Sequence, residues 1–133
     1  MIRGLKTNQT LDQRRAAHAW SAVQAAKSGK NWREYRGQAK KLPTRIMTSG
    51  LGQALAFLHA KKYAPELLKD IADWVLDKRR NPENAGEKPD EKALIEAIIQ
   101  GDSDSLRRAT DETLAYLQWL NRFAEAEGLS DDE

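Results

Sequence analysis

The chain reads as all-α, a single-domain bundle of about six helices. Two observations lead there. Apolar residues recur at three- and four-residue spacing in every long segment, and no segment alternates as a half-buried strand does. The composition is rich in Ala, Leu, Lys, Glu and Gln and poor in β-branched residues, which favours helix. At 133 residues the chain has the size of one domain, spanning 1–133, and can bury a modest core without staples.

The first helix begins after Thr10, because Thr10 with Gln13 is a capping-box pair whose side chains satisfy free backbone N–H groups. Ala16, Ala19, Trp20, Val23 and Ala26 form its apolar stripe, and Gly29 is expected to close it in a left-handed cap. Asn31 with Glu34 repeats the capping pattern and opens a second, shorter helix to about Leu42. Pro43 disfavours helical geometry at the residue before it, so a third helix is expected to start there and run to about Lys61. Gly50 and Gly52 then fall inside a helix at about 1 kcal/mol each, which close approach of another backbone would justify. Gly50 and Leu51 are therefore candidates for close packing, within the fold or at an interface.

Pro65 starts the fourth helix, with Leu68, Ile71, Ala72 and Val75 on one face. Residues 81–89 hold two prolines, a glycine and several charges and are expected to be an exposed loop. Asp90 caps a short fifth helix bearing Leu94, Ile95, Ile98 and Ile99, and Gly101 stops it. Asp102 or Ser103 caps the last helix, which runs to about Glu127 with three adjacent apolar rows. Residues 1–10 and 129–133 are expected to be flexible ends.

The charge is divided along the chain. Residues 1–62 carry 13 Lys or Arg against two acids, Asp12 and Glu34, whereas residues 63–133 carry nine against 18 acids. A basic half fits a phosphate backbone, and an acidic half fits a basic partner or the basic half of another copy. Helix macrodipoles account for Lys61 and Lys62, which close a helix, and are an alternative for Lys40 and Lys41, but they do not explain the near-absence of acids over 62 residues. The basic groups singled out for nucleic-acid binding are Arg14, Arg15, Lys40, Lys41, Arg45, Lys61 and Lys62. Trp32, Arg33, Tyr35 and Arg36 interleave aromatic and basic groups, a pattern that stacks on bases. Burial of Trp32 or Tyr35 in a short amphipathic helix is the commoner outcome.

Catalytic signals are sparse. His18 and His59 are the only histidines, and a pair of them can serve as acid and base in RNA cleavage. Nothing else completes such a constellation, so no catalytic residue is expected. The absence of Cys excludes disulfides and thiolate metal sites. The acidic runs 102–104 and 131–133 read as a helix cap and a solvated tail, so neither metal nor cofactor is expected. No apolar run approaches a membrane span, and the first ten residues lack an apolar targeting core. A cytoplasmic location without membrane contact is the expectation.

Two stretches carry a family resemblance. The first is Lys41-Leu42-Pro43, Ile46-Met47 and the run Gly50 to Leu58, ending at Lys61-Lys62. The second is Leu114, Tyr116-Leu117, Trp119-Leu120 and Arg122 to Ala126. With Arg14-Arg15-Ala16 they make the chain, from about 14 to 126, resemble the small helical subunit of the type III-B CRISPR effector, the fifth protein of the Cmr complex. Asn121 departs from that pattern, standing where another basic residue is expected. The resemblance implies a non-catalytic, all-helical subunit in antiviral defence. Copies would stack head to tail beside the backbone subunits and contact the RNA backbone along the guide–target duplex. Implied partners are guide RNA, target RNA, the backbone and large polymerase-like subunits, and further copies of itself. A small basic DNA-binding regulator is the alternative, although no short helix pair offers a polar, exposed recognition helix.

Overall fold

The structure, a computed structural model, describes residues 8–76 and 89–128. Most of the expected loop at 81–89, the expected tail at 129–133 and the first seven residues of the expected flexible start lie outside them. Six helices are described: α1 (Leu11–Lys27), α2 (Trp32–Ser49), α3 (Leu51–Lys61), α4 (Pro65–Val75), α5 (Ala93–Gln100) and α6 (Ser103–Glu127). No strand occurs among the described residues. The fold is all-α.

The helix starts follow local chemistry in part. At Thr10 the capping box closes as expected: its hydroxyl accepts from the Gln13 N–H at 3.0 Å, and Gln13 Oε1 accepts from the Thr10 N–H at 2.8 Å. Asp102 caps α6 by accepting from the Ser105 N–H at 2.8 Å. Pro65 occupies the first turn of α4, where its missing N–H leaves nothing unsatisfied. At Asn31 the expected capping box does not form. Asn31 makes no side-chain cap, and Glu34 accepts instead from Gln38 Nε2 at 3.2 Å. Gly29 is not a left-handed cap either, since α1 ends at Ser28 in right-handed geometry. Asp90 forms a turn with Lys92 ahead of α5 and leaves the cap position to Lys92.

The largest departure lies at Pro43. The expected break does not occur there, and α2 continues to Ser49. Proline lacks the N–H that would bond to the carbonyl four residues back, that of Ala39. Asn121 of α6 supplies the missing donor: its Nδ2 donates to the Ala39 carbonyl at 2.9 Å. Ala39 is fully buried, so Asn121 stands in for the lost helical donor where water has no access. This explains why Asn121 is not basic.

The real break is Gly50, with φ +90° and ψ 157°. Its N–H donates to Ile46 to end α2, and its carbonyl accepts from Ala54 to begin α3. A side chain at Gly50 would meet no atom within 4 Å, so backbone conformation, not close approach, calls for glycine. A side chain added at Gly52 would come into ordinary van der Waals contact with Ile98 of α5. Leu51 is buried.

One core draws on all six helices. α6, about 37 Å long by the usual helical rise, is its spine. Tyr116, Leu117 and Leu120 of α6 are fully buried, with Val23 of α1, Leu42 of α2, Leu55 and Leu58 of α3 and Ile71 of α4. The α2–α3 hairpin lies on this core, with Gln38 its buried polar residue.

A polar layer links α1, α4 and α6. Arg15 grips Glu112 through Nε at 2.5 Å and Nη2 at 2.9 Å, and Trp74 Nε1 donates to the same carboxylate at 2.6 Å. His18 lies 2.8 Å from Asp73 Oδ2 through Nε2 and 2.7 Å from the Tyr116 hydroxyl through Nδ1. Nearby, the Tyr35 hydroxyl donates to Asp70 at 2.6 Å. Burial pushes the Asp70 carboxyl up to about 6, against the opposing bond from Tyr35.

Candidate nucleic-acid interface

The α2–α3 hairpin gathers five of the seven basic candidates. Lys40 and Lys41 are exposed on α2, and Lys41 and Arg45, four residues apart, share one face of the helix. Gly50 folds α3 back beside α2, which brings the end of α3 to the same region. The Arg45 guanidinium carbon lies 4.6 Å from the centre of the Phe57 ring, and Lys61 Nζ lies 5.8 Å from it. Residues 16 apart in sequence thus meet on one aromatic ring. Gln38 holds Arg45 in place, accepting from its Nη1 at 2.7 Å. Lys62 follows, exposed, in the left-handed conformation that closes α3 (φ 56°). Lys40, Lys41, Arg45, Lys61 and Lys62 make no ion pair with any described residue. No described acid neutralises their charge, as a phosphate-binding surface requires.

Arg14 and Arg15 lie elsewhere, on α1. Arg15 is held by Glu112 and by Asp12, and its side chain is only 12 % exposed. Its pKa is raised, chiefly by the bond to Glu112. It therefore ties α1 to α6. Arg14 is half-buried, and its Nε lacks a hydrogen-bond partner among the described residues. No described contact joins either residue to the hairpin cations. The basic half is thus divided: Arg15 and Lys27 pair with α6 acids, Lys27 with Glu127 at 2.6 Å, and the hairpin stays open.

The aromatic–basic interleaving at 32–36 is not a stacking platform. Trp32 and Tyr35 are buried with ring centres 6.1 Å apart, and Trp32 Nε1 points to the Gly128 carbonyl. Exposed aromatics sit instead at Trp20 on α1, against Phe123, and at Phe57 and Tyr63, whose rings meet in a T-shaped contact at 6.2 Å. Sequence reasoning missed this pair because the wrong helix boundary, Pro43 for Gly50, concealed the hairpin that joins Phe57 to Arg45. The signal available was Gly50 itself, between Ser49 and Leu51, read as a helix end.

The two histidines have different partners. His18 belongs to the Asp73–Tyr116 layer, whereas His59 Nδ1 is 4.0 Å from Glu91, before α5. Among the described residues, no group of three or more His, Cys, Asp or Glu is arranged to hold a metal ion. Nor is any helix among them long and apolar enough to cross a membrane.

Comparison with known proteins gives concordant results. Residues 11–127 match the family model for CRISPR-associated protein Cas_Cmr5. The CRISPR system Cmr subunit Cmr5 of Thermus thermophilus is 34% identical over 119 residues, covering 89% of this chain and 96% of that protein. The crystal structure of a CRISPR-associated Cmr5 family protein from Thermus thermophilus superposes with a TM-score of 0.75 at 32% identity. That superposition spans 89% of this chain and 97% of the other. A family match across all six described helices, with the same fold at over 30% identity, shows that the chain belongs to the Cmr5 family of CRISPR-associated proteins.

Proposed function

We propose that this chain is the non-catalytic small subunit of a type III-B CRISPR effector and contacts RNA backbone through its α2–α3 hairpin. One observation carries the RNA reading. Five cations, Lys40, Lys41, Arg45, Lys61 and Lys62, are carried on one hairpin, two of them over the same ring, and none forms an ion pair with a described acid. A subunit that reads no bases needs only such a surface, because phosphate contacts position without specifying sequence. The similarity to a Cmr subunit supports other Cmr subunits as partners; in this reading guide RNA and target RNA join them, and the work is done in the cytoplasm.

Copies stack head to tail in this reading. A basic hairpin and an acidic C-terminal half on one chain favour heterologous contacts, which propagate instead of closing. A DNA-binding regulator is the weaker reading, since the family is that of a CRISPR subunit.

The test is RNA affinity as a function of salt. With about five phosphates contacted, the slope of log affinity against log salt approaches about −3.5 for a single strand. The triple variant Lys40→Glu, Lys41→Glu, Arg45→Glu should lose most of that slope while keeping its helical signal. An unchanged slope refutes this placement of the surface.

A further inference from the structure

Phe57 and Tyr63 stand out on the surface. Each is 38 % exposed, although large aromatic side chains normally seek the core, and each is in contact with the other. They are not a patch of plain apolar surface. Arg45 and Lys61 lie over Phe57, Lys62 precedes Tyr63 in the chain, and Lys41 is one turn from Arg45. The geometry is defined at both ends. Gly50 places α3 against α2, and the left-handed Lys62 turns the chain so that Tyr63 returns beside Phe57 at 6.2 Å.

We infer that Tyr63, backed by Phe57 and Arg45, is a stacking platform for one unpaired base of a single-stranded RNA. The proposal rests on the RNA reading above and adds to it a contact that backbone binding does not need. The chemistry favours this occupant. Every nucleobase offers a flat π face, and the phosphates on either side of it carry the negative charge that complements Lys41, Lys61 and Lys62. Phe57 already has Arg45 and Lys61 over its ring and Tyr63 in steeply tilted contact with it, so it serves as the wall. Among the described residues Tyr63 meets no second ring, and its 38 % exposure leaves part of the side chain open to an incoming base. A protein segment docking here would meet several uncompensated cations around two rings, which suits an apolar partner poorly. Stacking tolerates any base, so the platform fits a subunit without a sequence code.

The experiment measures binding of the full chain at low salt to a labelled oligouridine of about 12 nucleotides, within the usual span of single-strand sites, and to the same strand made abasic. The intact strand should bind about tenfold tighter than the abasic one. Tyr63→Leu keeps an apolar side chain and removes the π face, so it should weaken the intact strand about tenfold and leave the abasic strand unchanged. Tyr63→Phe should restore the difference. The salt slope should stay the same in both variants, because the phosphate contacts remain. Equal binding of the two strands with the slope intact overturns stacking and leaves the backbone reading standing. No measurable binding of either strand overturns both. A Tyr63→Leu variant that loses self-association and keeps the intact-strand preference makes the pair a protein contact and overturns the platform.

Discussion

Asn121 and Pro43 should be energetically coupled although they lie on different helices. Pro43 deprives the Ala39 carbonyl of its helical donor, and Asn121 replaces that donor across the α2–α6 interface at 2.9 Å. Asn121→Ala leaves a fully buried residue's carbonyl without that partner, at about 1–3 kcal/mol. Thermal unfolding should then fall by roughly 4–10 °C for a domain of this size. Pro43→Ala restores the backbone N–H and with it the internal bond to Ala39. In that background the carbonyl no longer depends on α6, so Asn121→Ala should cost only about 0.5 kcal/mol, the worth of a redundant hydrogen bond. Urea unfolding of the wild type, both single variants and the double variant yields the coupling directly, expected at about 1–2 kcal/mol. Equal losses in the two backgrounds would refute the idea that Asn121 carries α2 through its proline.

The polar layer supplies two more outcomes. Arg15→Ala should destabilise the fold by about 2–4 kcal/mol, because it leaves the partly buried Glu112, to which Trp74 also donates, without the Arg15 guanidinium. The salt slope of RNA binding should be untouched, and a thermal shift below about 3 °C together with a reduced slope would return Arg15 to the RNA surface. Asp70 has its folded pKa raised, from the ordinary 3.8 to about 6, so the native state binds its proton more tightly than the unfolded chain does. Its contribution is therefore full below about pH 4 and is lost as pH rises through about 6, on the order of 3 kcal/mol. Asp70→Asn should remove that step from the stability–pH curve measured by urea unfolding, and a step that persists assigns it to another group.

Much of the architecture was legible from the sequence. Periodicity placed most of the buried positions, although Trp20 and Ile99 of the expected stripes face outward, and Thr10, Pro65 and Asp102 marked real helix starts because each acts on its own few neighbours. Pro43 misled for the opposite reason. Whether a proline ends a helix depends on whether its orphaned carbonyl finds a donor, and that donor is 82 residues away in sequence. Asn31 misled similarly, since Glu34 is engaged by Gln38 instead of reaching back. At the site, charge segregation pointed to the first 62 residues but could not sort them. Arg15 and Lys61 look alike in sequence. Only packing shows that one meets Glu112 and the other lies over Phe57 in solvent. The exposed aromatic pair depended on tertiary geometry altogether, because Phe57 meets Arg45 only once the chain reverses at Gly50.

That reversal makes the hairpin sensitive to register. Each residue advances a helix by about 100°, so one amino acid added or removed between Gly50 and Phe57 would swing Phe57 about a quarter-turn away from Arg45. Lys61 would be carried round with it. Chain length over these few positions is therefore as constrained as residue identity, and drift between relatives should accumulate by substitution here and by insertion elsewhere.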